Sequence, residues 1–600
     1  TESASTLAHR IVSLGPGDPR LPGGGRGAYP PCDKQNNVVV REEIMYCRVL
    51  VIAVGLAFTI LVPGVAFAQT PATALTGLVS SAENNAMEGV LVSASKTGSP
   101  VTITVVTDKD GRFSFPASKL APGQYSLGVR AVGYDLDPHR AIEITEQKTT
   151  TVDLQLRKTE DLAAQLSNGE WLASIPGTDQ QKGQLLNCVG CHTLERIVRS
   201  KYDANAFLTK VLPRMQGYVN QSIPAHPQLR RAERLMEERG DQRVQVYRSA
   251  AEYLSTINLS AGQQWSYALK TFARPTGRAT RVIYTEYALP RETISPHDVI
   301  VDAEGIVWYS SFGEQNLGRL DPKSGKVTEY PIPEHKPGFP TGGLGLRADK
   351  DGNLWLGNMY QATIIKFDRK AESFQFWPLP PEQNIDAAQV NMVSPQSSHV
   401  DGKVWAQNNG FAGVHRLDIA TGKIETWEPF KNAPKGEPHN IYDVIPDSKN
   451  NVYFTDFRHQ HIGRIDAATG EVTLFEAPTA RSAPRRGSMD AQDRLWFGEY
   501  RGDRIGMFDT KTEQFKEWKL TTRWASPYDV ILDKNENAWT GSMITDQVTR
   551  LDTKTGEMVD YLLPRSTNIR RVFVDNTTTP VSFWVGSNHG ASIIKVEPLD

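Results

Sequence analysis

One aromatic position recurs through the second half of the chain at nearly constant spacing, and that spacing restricts the fold more than any other feature. Trp308, Trp355, Trp405, Tyr453, Trp496, Trp539 and Trp584 are separated by 47, 50, 48, 43, 43 and 45 residues. The same pieces surround each: SPHDVIVDAEGIVWYSSFGEQNLGRLDPKSGKVTEYPIP, from Ser295, compares with EPHNIYDVIPDSKNNVYFTDFRHQHIGRIDAATGEVTLFEAP, from Glu437. Short alternating runs between turn residues are β-strands. A unit of four strands repeating every 40 to 50 residues is the signature of a β-propeller. Seven units predict seven blades across residues 281–600. The stretch RVIYTEYALP, residues 281–290, has the pattern of an outermost strand but precedes the first inner one, and the last unit ends in SIIKVEPLD without such a strand. Joining the two would close the ring and remove an exposed edge.

Chain direction locates the face where chemistry would gather. Each inner strand starts, and each second strand ends, on the same rim. The first set of rim positions holds His297, His439, Arg485, Arg486, Tyr528, Arg570 and Arg571; the second holds Ser311, Asn358, Asn408, Asp456, Glu499, Ser542 and Ser587, with His589 just beyond. Polar loops solvating a rim are the plain alternative for any one of these.

The phrases G-x-V-W, I-G-R-I-D, A-T-G-E-V and E-Y-x-L-P, spread over about 320 residues, make this region resemble the streptogramin B lyase family of propellers. The resemblance implies the fold directly and an activity only indirectly, because propellers host many functions. In that family a histidine base works beside acidic residues that hold Mg²⁺. Glu437-Pro438-His439 followed by Asp456 matches best, with His439 as the base and Glu437 and Asp456 as oxygen ligands. Hard oxygens suit Mg²⁺, and imidazole suits proton abstraction. Asp456 stands where the family has Glu, however. The spacing is three residues longer than in the first unit, the third unit has Ser394 where a substrate-binding His is expected, and the first keeps His297 but has Ser311 at its acid position. His459 and His461, in RHQHIG, read as exposed turn residues.

Residues 1–44 read as an upstream leader, and Met45 to Ala68 as a secretory signal peptide ending in Ala66-Phe67-Ala68. Its apolar core, Val49 to Val62, is short of the roughly 20 residues a membrane span needs. An uncleaved anchor is the competing reading. Cleavage would remove Cys32 and Cys47, leaving an exported, periplasmic-type chain with Cys188 and Cys191 and no transmembrane segment. Residues 72–157 alternate apolar and polar positions between Asp108-Lys109-Asp110-Gly111 and Ala121-Pro122-Gly123, which predicts a small β-sandwich. The order G-L-V-S, T-D-K-D-G-R-F-S-F, L-A-P-G-Q-Y and V-G-Y resembles the carboxypeptidase regulatory-like domain, implying an accessory module sometimes compared with carbohydrate-binding sandwiches.

Residues 160–262 change to helical spacing, followed by a linker at 263–280. Within the helical stretch lies Asn187-Cys188-Val189-Gly190-Cys191-His192. Cys-x-x-Cys-His is the attachment sequence for c-type haem: two thiols bond the vinyl groups and the adjacent imidazole reaches the iron. A thioredoxin-like pair would want a βαβ setting, and a zinc knuckle a second ligand pair. The segment resembles small monohaem cytochromes c; Cys188 and Cys191 would be the attachment thiols, His192 the proximal iron ligand and Met215 the sixth ligand, with Met236 and His226 as alternatives. Phe207, Val211 and Met215 share one helical face.

The formal net charge is −2, and no basic stripe or reading motif supports nucleic-acid binding. The expectation is therefore a mainly β multidomain protein: β-sandwich, small all-α cytochrome c domain and seven-bladed β-propeller. Its expected role is exported electron transfer, as an oxidoreductase or its electron-transfer subunit with haem c and a redox partner protein. The alternative is a Mg²⁺-dependent C–O lyase-like or ligand-binding propeller, taking a small molecule or carbohydrate, with an accessory haem domain.

Overall fold

In four of the seven blades the second-strand aromatic is anchored by an aspartate six residues upstream. Trp308 Nε1 donates to Asp302 Oδ2 at 2.8 Å, and the pairs Trp355–Asp349, Trp496–Asp490 and Trp539–Asp533 repeat this at 2.9 Å. The other oxygen of Asp302 accepts from the amides of Glu304 and Ile306, so one side chain closes the tight turn and fixes the indole. The cross-strand partner of the aromatic is Arg or Lys in six of the seven blades, as in Trp308–Arg319 and Trp584–Lys595, with Met507 the exception. These bases lie over aromatic faces; Arg550 stands 5.5 Å from the Trp539 ring centre. The glycine of the I-G-R-I-D phrase has a steric cause. A Cβ at Gly318 would sit 1.9 Å from the ring of Tyr309, and one at Gly463 1.9 Å from that of Phe454.

The computed structural model describes residues 73–84, 86–137, 141–146, 148–190, 192–213, 240–311, 314–339, 342–434 and 436–600. The expected leader, signal peptide, Cys32, Cys47, Cys191, Met215, His226 and Met236 lie outside them. No helix among the described residues is long and apolar enough to cross a membrane.

The chain is mainly β. Six four-stranded antiparallel sheets follow one another from Pro296 to Leu562. The seventh comprises Ile569–Asp575, Ser582–Ser587 and Ser592–Pro598, completed by Val282–Ala288. This is the closing strand expected from RVIYTEYALP, and the inner strands of the first and seventh blades pack side by side.

The same strand has a second partner. Val282–Ala288 also pairs antiparallel with Val101–Val106 of the N-terminal sandwich, so the seventh blade and four sandwich strands form one eight-stranded sheet. The sandwich's second layer joins Arg112–Pro116, Thr73–Ser81, Leu154–Lys158 and Tyr134–Leu136. Leu75, Val79, Val92, Phe113, Phe115 and Leu156 fill the space between the layers, and Ile283 belongs to the same cluster. The outer edge of the seventh blade is thereby covered rather than exposed.

The segment expected as an all-α domain is only partly regular where described. Asn168–Ser174 and Asp179–Leu185 begin with capping boxes on Ser167–Glu170 and Thr178–Gln181, and Gly240–Ile257 is the one long helix among the described residues. Among the described residues of this segment the apolar side chains join the propeller's core. Trp171, Leu172, Val189, Leu194, Phe207 and Leu254 share a cluster with Leu344, Tyr360, Met392, Tyr442, Tyr528 and Ile544 of the propeller. Residues 263–276 run as a strap without regular structure, ending in the tight helical turn Gly277–Thr280. Trp265 donates Nε1–H to Val198 O at 2.9 Å, the Phe272 amide donates to the buried Glu170 at 2.8 Å, and the Gly277 amide reaches Glu88 of the sandwich at 2.9 Å.

Candidate functional site

Three groups of polar side chains converge on the loop-bearing rim. At the fourth blade, His439 Nδ1 lies 2.6 Å from Asp456 Oδ2. Its ring is held in a stack, 3.9 Å and 4° from Phe430 on one face and 4.4 Å from His459 on the other. Asp456 is fully buried at the end of Val452–Asp456, and its second oxygen accepts from the amides of Asn440 and Arg458 at 3.0 and 3.2 Å. Burial alone would raise its pKa, but the neighbouring imidazoles of His461 and His439 and the Asn440 amide outweigh it and hold the carboxyl below the usual range.

His461, expected in an exposed turn, instead opens the strand His461–Ile465, half-buried, with Nδ1 3.5 Å from Asp456. That carboxylate raises its pKa. His439, Asp456 and His461 place one ligand atom each within 4.8 Å of one another. Glu437 does not join them. It is exposed, and shares with His439 and Phe430 the lining of a cavity of about 290 Å³ beside Asn409 and Phe411. Two imidazoles and one carboxylate suit a borderline divalent ion such as Zn²⁺ better than Mg²⁺, which prefers oxygen. The residues present therefore do not fit the expected Mg²⁺ site.

At the centre of the ring, charges and hydroxyls are paired off internally. Asp298 receives Arg486 at 2.5 and 2.8 Å and Arg571 at 3.2 Å, while Arg347 grips Asp443 through two contacts of 2.8 Å. His297 is fully buried between Asp298, at 2.9 Å, and Tyr528 Oη, at 3.0 Å. Burial pushes its pKa down to about 3, so it is a neutral packing group and not an accessible base. Arg485 sits in a cage of Tyr442, Phe457, Tyr500 and Tyr528, with Tyr528 4.1 Å away, and donates to Tyr442 Oη at 3.0 Å. Glu499, at the second-strand end of the fifth blade, is fully buried with neither oxygen in hydrogen-bonding geometry. Burial and the Glu517 carboxylate push its pKa up to about 8.

The third group joins the cysteine motif to the seventh blade. Cys188–Gly190 forms a single tight turn with Val189 fully buried. Asn568 donates Nδ2–H to Val189 O at 3.0 Å and to Met543 O at 3.1 Å, and Arg570 donates to Gly190 O at 2.8 Å. His192 Nδ1 faces its neighbour's carbonyl, Thr193 O, at 2.8 Å. As donor there, Nδ1 leaves the lone pair on Nε2. Burial lowers the pKa of His192. His589 lies close enough to be influenced by both Arg570 and His192. Burial first, then these two neighbours, push its pKa down to about 3, opposed only by the Val189 backbone, which does not reach hydrogen-bond geometry. This docking of the motif on the ring carries no sequence signal, because Arg570 reads as an ordinary rim residue and Asn568 belongs to no motif.

Residues 74–157 match the carboxypeptidase regulatory-like domain, and residues 397–569 match the Virginiamycin B lyase family. No curated protein matches the chain. Among solved structures, a selenomethionine-substituted virginiamycin B lyase from Staphylococcus aureus is 23% identical, covering 52% of this chain and 99% of its own, with a TM-score of 0.44. A streptogramin B lyase structure is 22% identical over 54% of this chain and 99% of its own, with a TM-score of 0.45. A catalytically inactive virginiamycin B lyase from Staphylococcus aureus with quinupristin is 22% identical over 52% and 99%, with a TM-score of 0.45. The chain thus joins a carboxypeptidase regulatory-like domain to a virginiamycin B lyase-like propeller.

Proposed function

We propose that the rim of the third and fourth blades binds a small carbonyl-bearing molecule and that His439 acts on it as a general base, the elimination chemistry of the streptogramin B lyase kind. The observation that carries this reading is the 2.6 Å pair of His439, which lines the Phe430 cavity, with the buried Asp456 behind it. The carboxylate orients the ring through Nδ1 and leaves Nε2 as its base. In an elimination, Nε2 takes a proton from the carbon next to the carbonyl. That C–H electron pair becomes the new C=C bond, and the C–O bond breaks with its pair leaving on oxygen. Asp456 stabilises the resulting imidazolium. The test is opening of a cyclic depsipeptide by the wild type and by His439→Ala, with and without divalent ion. Equal rates in the two proteins overturn the assignment of His439.

A second reading, electron transfer through covalent haem in an exported chain, is supported by the seating of the Cys188–His192 segment on the propeller through Asn568 and Arg570. The donor set fits that group. His192 presents Nε2, two thiols flank Val189 and Gly190 in sequence, and the adjoining rim has polar atoms without partners. Haem bound there would supply a one-electron redox centre for a partner protein. Haem staining of the denatured full chain, made with haem-attachment machinery, tests this. A colourless band removes the reading.

A further inference from the structure

The loop that follows Ser582–Ser587 concentrates unsatisfied polar atoms. Ser587 Oγ, Asn588 Oδ1 and both ring nitrogens of His589 are shielded from solvent, and none has a hydrogen-bond partner among the described residues. Leaving one such atom buried and unpaired is destabilising, so four in three consecutive residues need an explanation. The loop backbone is not free to turn them away. Gly590 N donates to Ser587 O at 3.1 Å, and a Cβ at Gly590 would meet Ser587 Oγ at 2.7 Å.

What faces this loop is the cysteine motif. Asn568 and Arg570, at the start of the inner strand of the same blade, hold the carbonyls of Val189 and Gly190, and the Asn588 amide of the loop donates to Asn568 O at 3.4 Å. An imidazole whose two shielded nitrogens have no partner in hydrogen-bond geometry has a lone pair available to a metal, and an iron centre closed by two imidazoles is a standard haem arrangement.

We propose that His589 of the propeller is the sixth ligand of the haem iron whose fifth ligand is His192, so that the haem is clamped between the motif and the ring. This rests on the electron-transfer reading. It assigns to the propeller a redox role independent of the His439 cavity. The sixth-ligand expectation of Met215 is then replaced by a residue almost 400 positions from the motif in sequence.

Absorption and electron paramagnetic resonance spectra of the ferric full-length protein, made with haem-attachment machinery, decide it. Wild type is expected to show a low-spin bis-imidazole signal and no sulfur-to-iron charge-transfer band. His589→Ala should lose most of the low-spin signal, with restoration by added imidazole. His589→Met should introduce the sulfur band and raise the reduction potential; Met215→Ala should change nothing. Covalent haem with an unaltered low-spin signal in His589→Ala, or a sulfur band in wild type, overturns the proposal alone. Absence of covalent haem from wild type overturns the electron-transfer reading and this proposal together.

Discussion

Val105 of the sandwich stands opposite Ile283 of the propeller in one antiparallel ladder, and Ile283 in turn pairs with Glu597 of the last strand. One strand therefore belongs to two folds, and the hydrogen bonds that close the ring are continuous with those of the N-terminal module.

This sharing predicts coupled unfolding. Thr285 pairs with Ile103 on one side and Lys595 on the other. Proline there removes a ladder donor and costs about 3 kcal/mol or more. Calorimetry of Thr285→Pro should show the sandwich and propeller transitions both shifted down; a shift in only one would show that the ladder does not couple them.

Glu499 predicts a pH dependence. Its folded pKa, up to about 8, lies above the ordinary carboxyl value of 4.5, so the native state holds its proton more tightly than the unfolded chain. Stability is present in full below pH 4.5 and is lost as pH rises toward 8, at a limiting slope of about 1.4 kcal/mol per pH unit. Asp529, pushed by burial to about 7, acts with the same sign. Glu499→Gln should flatten the denaturation free energy across pH 5 to 8, leaving the smaller slope from Asp529. An unchanged slope would mean that Glu499 does not titrate with folding.

Asp456 should matter through His439. Asp456→Asn keeps the shape but removes the charge that orients and stabilises the ring, and is expected to lower any His439-dependent elimination by roughly 10²–10⁴-fold. Measurement of kcat and KM separately should place the loss in kcat.

The His439, Asp456 and His461 group should discriminate between ions. Zn²⁺ is expected to raise the melting temperature of the wild type, by binding the folded state only, whereas equal Mg²⁺ should not. His461→Ala should abolish the Zn²⁺ shift. A Mg²⁺-specific shift would restore the oxygen-ligand expectation built on Glu437.

Asn568→Ala should loosen the cysteine motif, since it strips partners from the buried carbonyls of Val189 and Met543. A cost of about 1–3 kcal/mol is expected. Hydrogen exchange should quicken over residues 186–198 while the amides of Ile569–Asp575 stay protected.

The blades were legible because their causes are local. Trp308 finds Asp302 six residues away, and Gly318 makes room for Tyr309 within one hairpin; such constraints repeat with the period and are visible in the chain itself. The closing strand was legible too, since Val282–Ala288 carries an outer-strand pattern with no inner strand before it. The candidate site was legible in composition but not in assembly. His439 and Asp456 were recognisable as a pair, yet His461 reads as a turn residue until the strand His461–Ile465 brings its ring to the buried carboxylate.

By itself, then, the sequence determined the sandwich, the propeller-like ring with its closing strand and the place of the cysteine motif, because periodicity and turn chemistry act over a few residues. Only the tertiary structure decided that the closing strand serves two sheets, that the described part of the helical stretch shares its core with the propeller, and that Asn568 and Arg570 meet the cysteine motif. These depend on burying apolar faces and buried polar atoms against whatever surface lies nearest in space, and that surface belongs to residues hundreds of positions away.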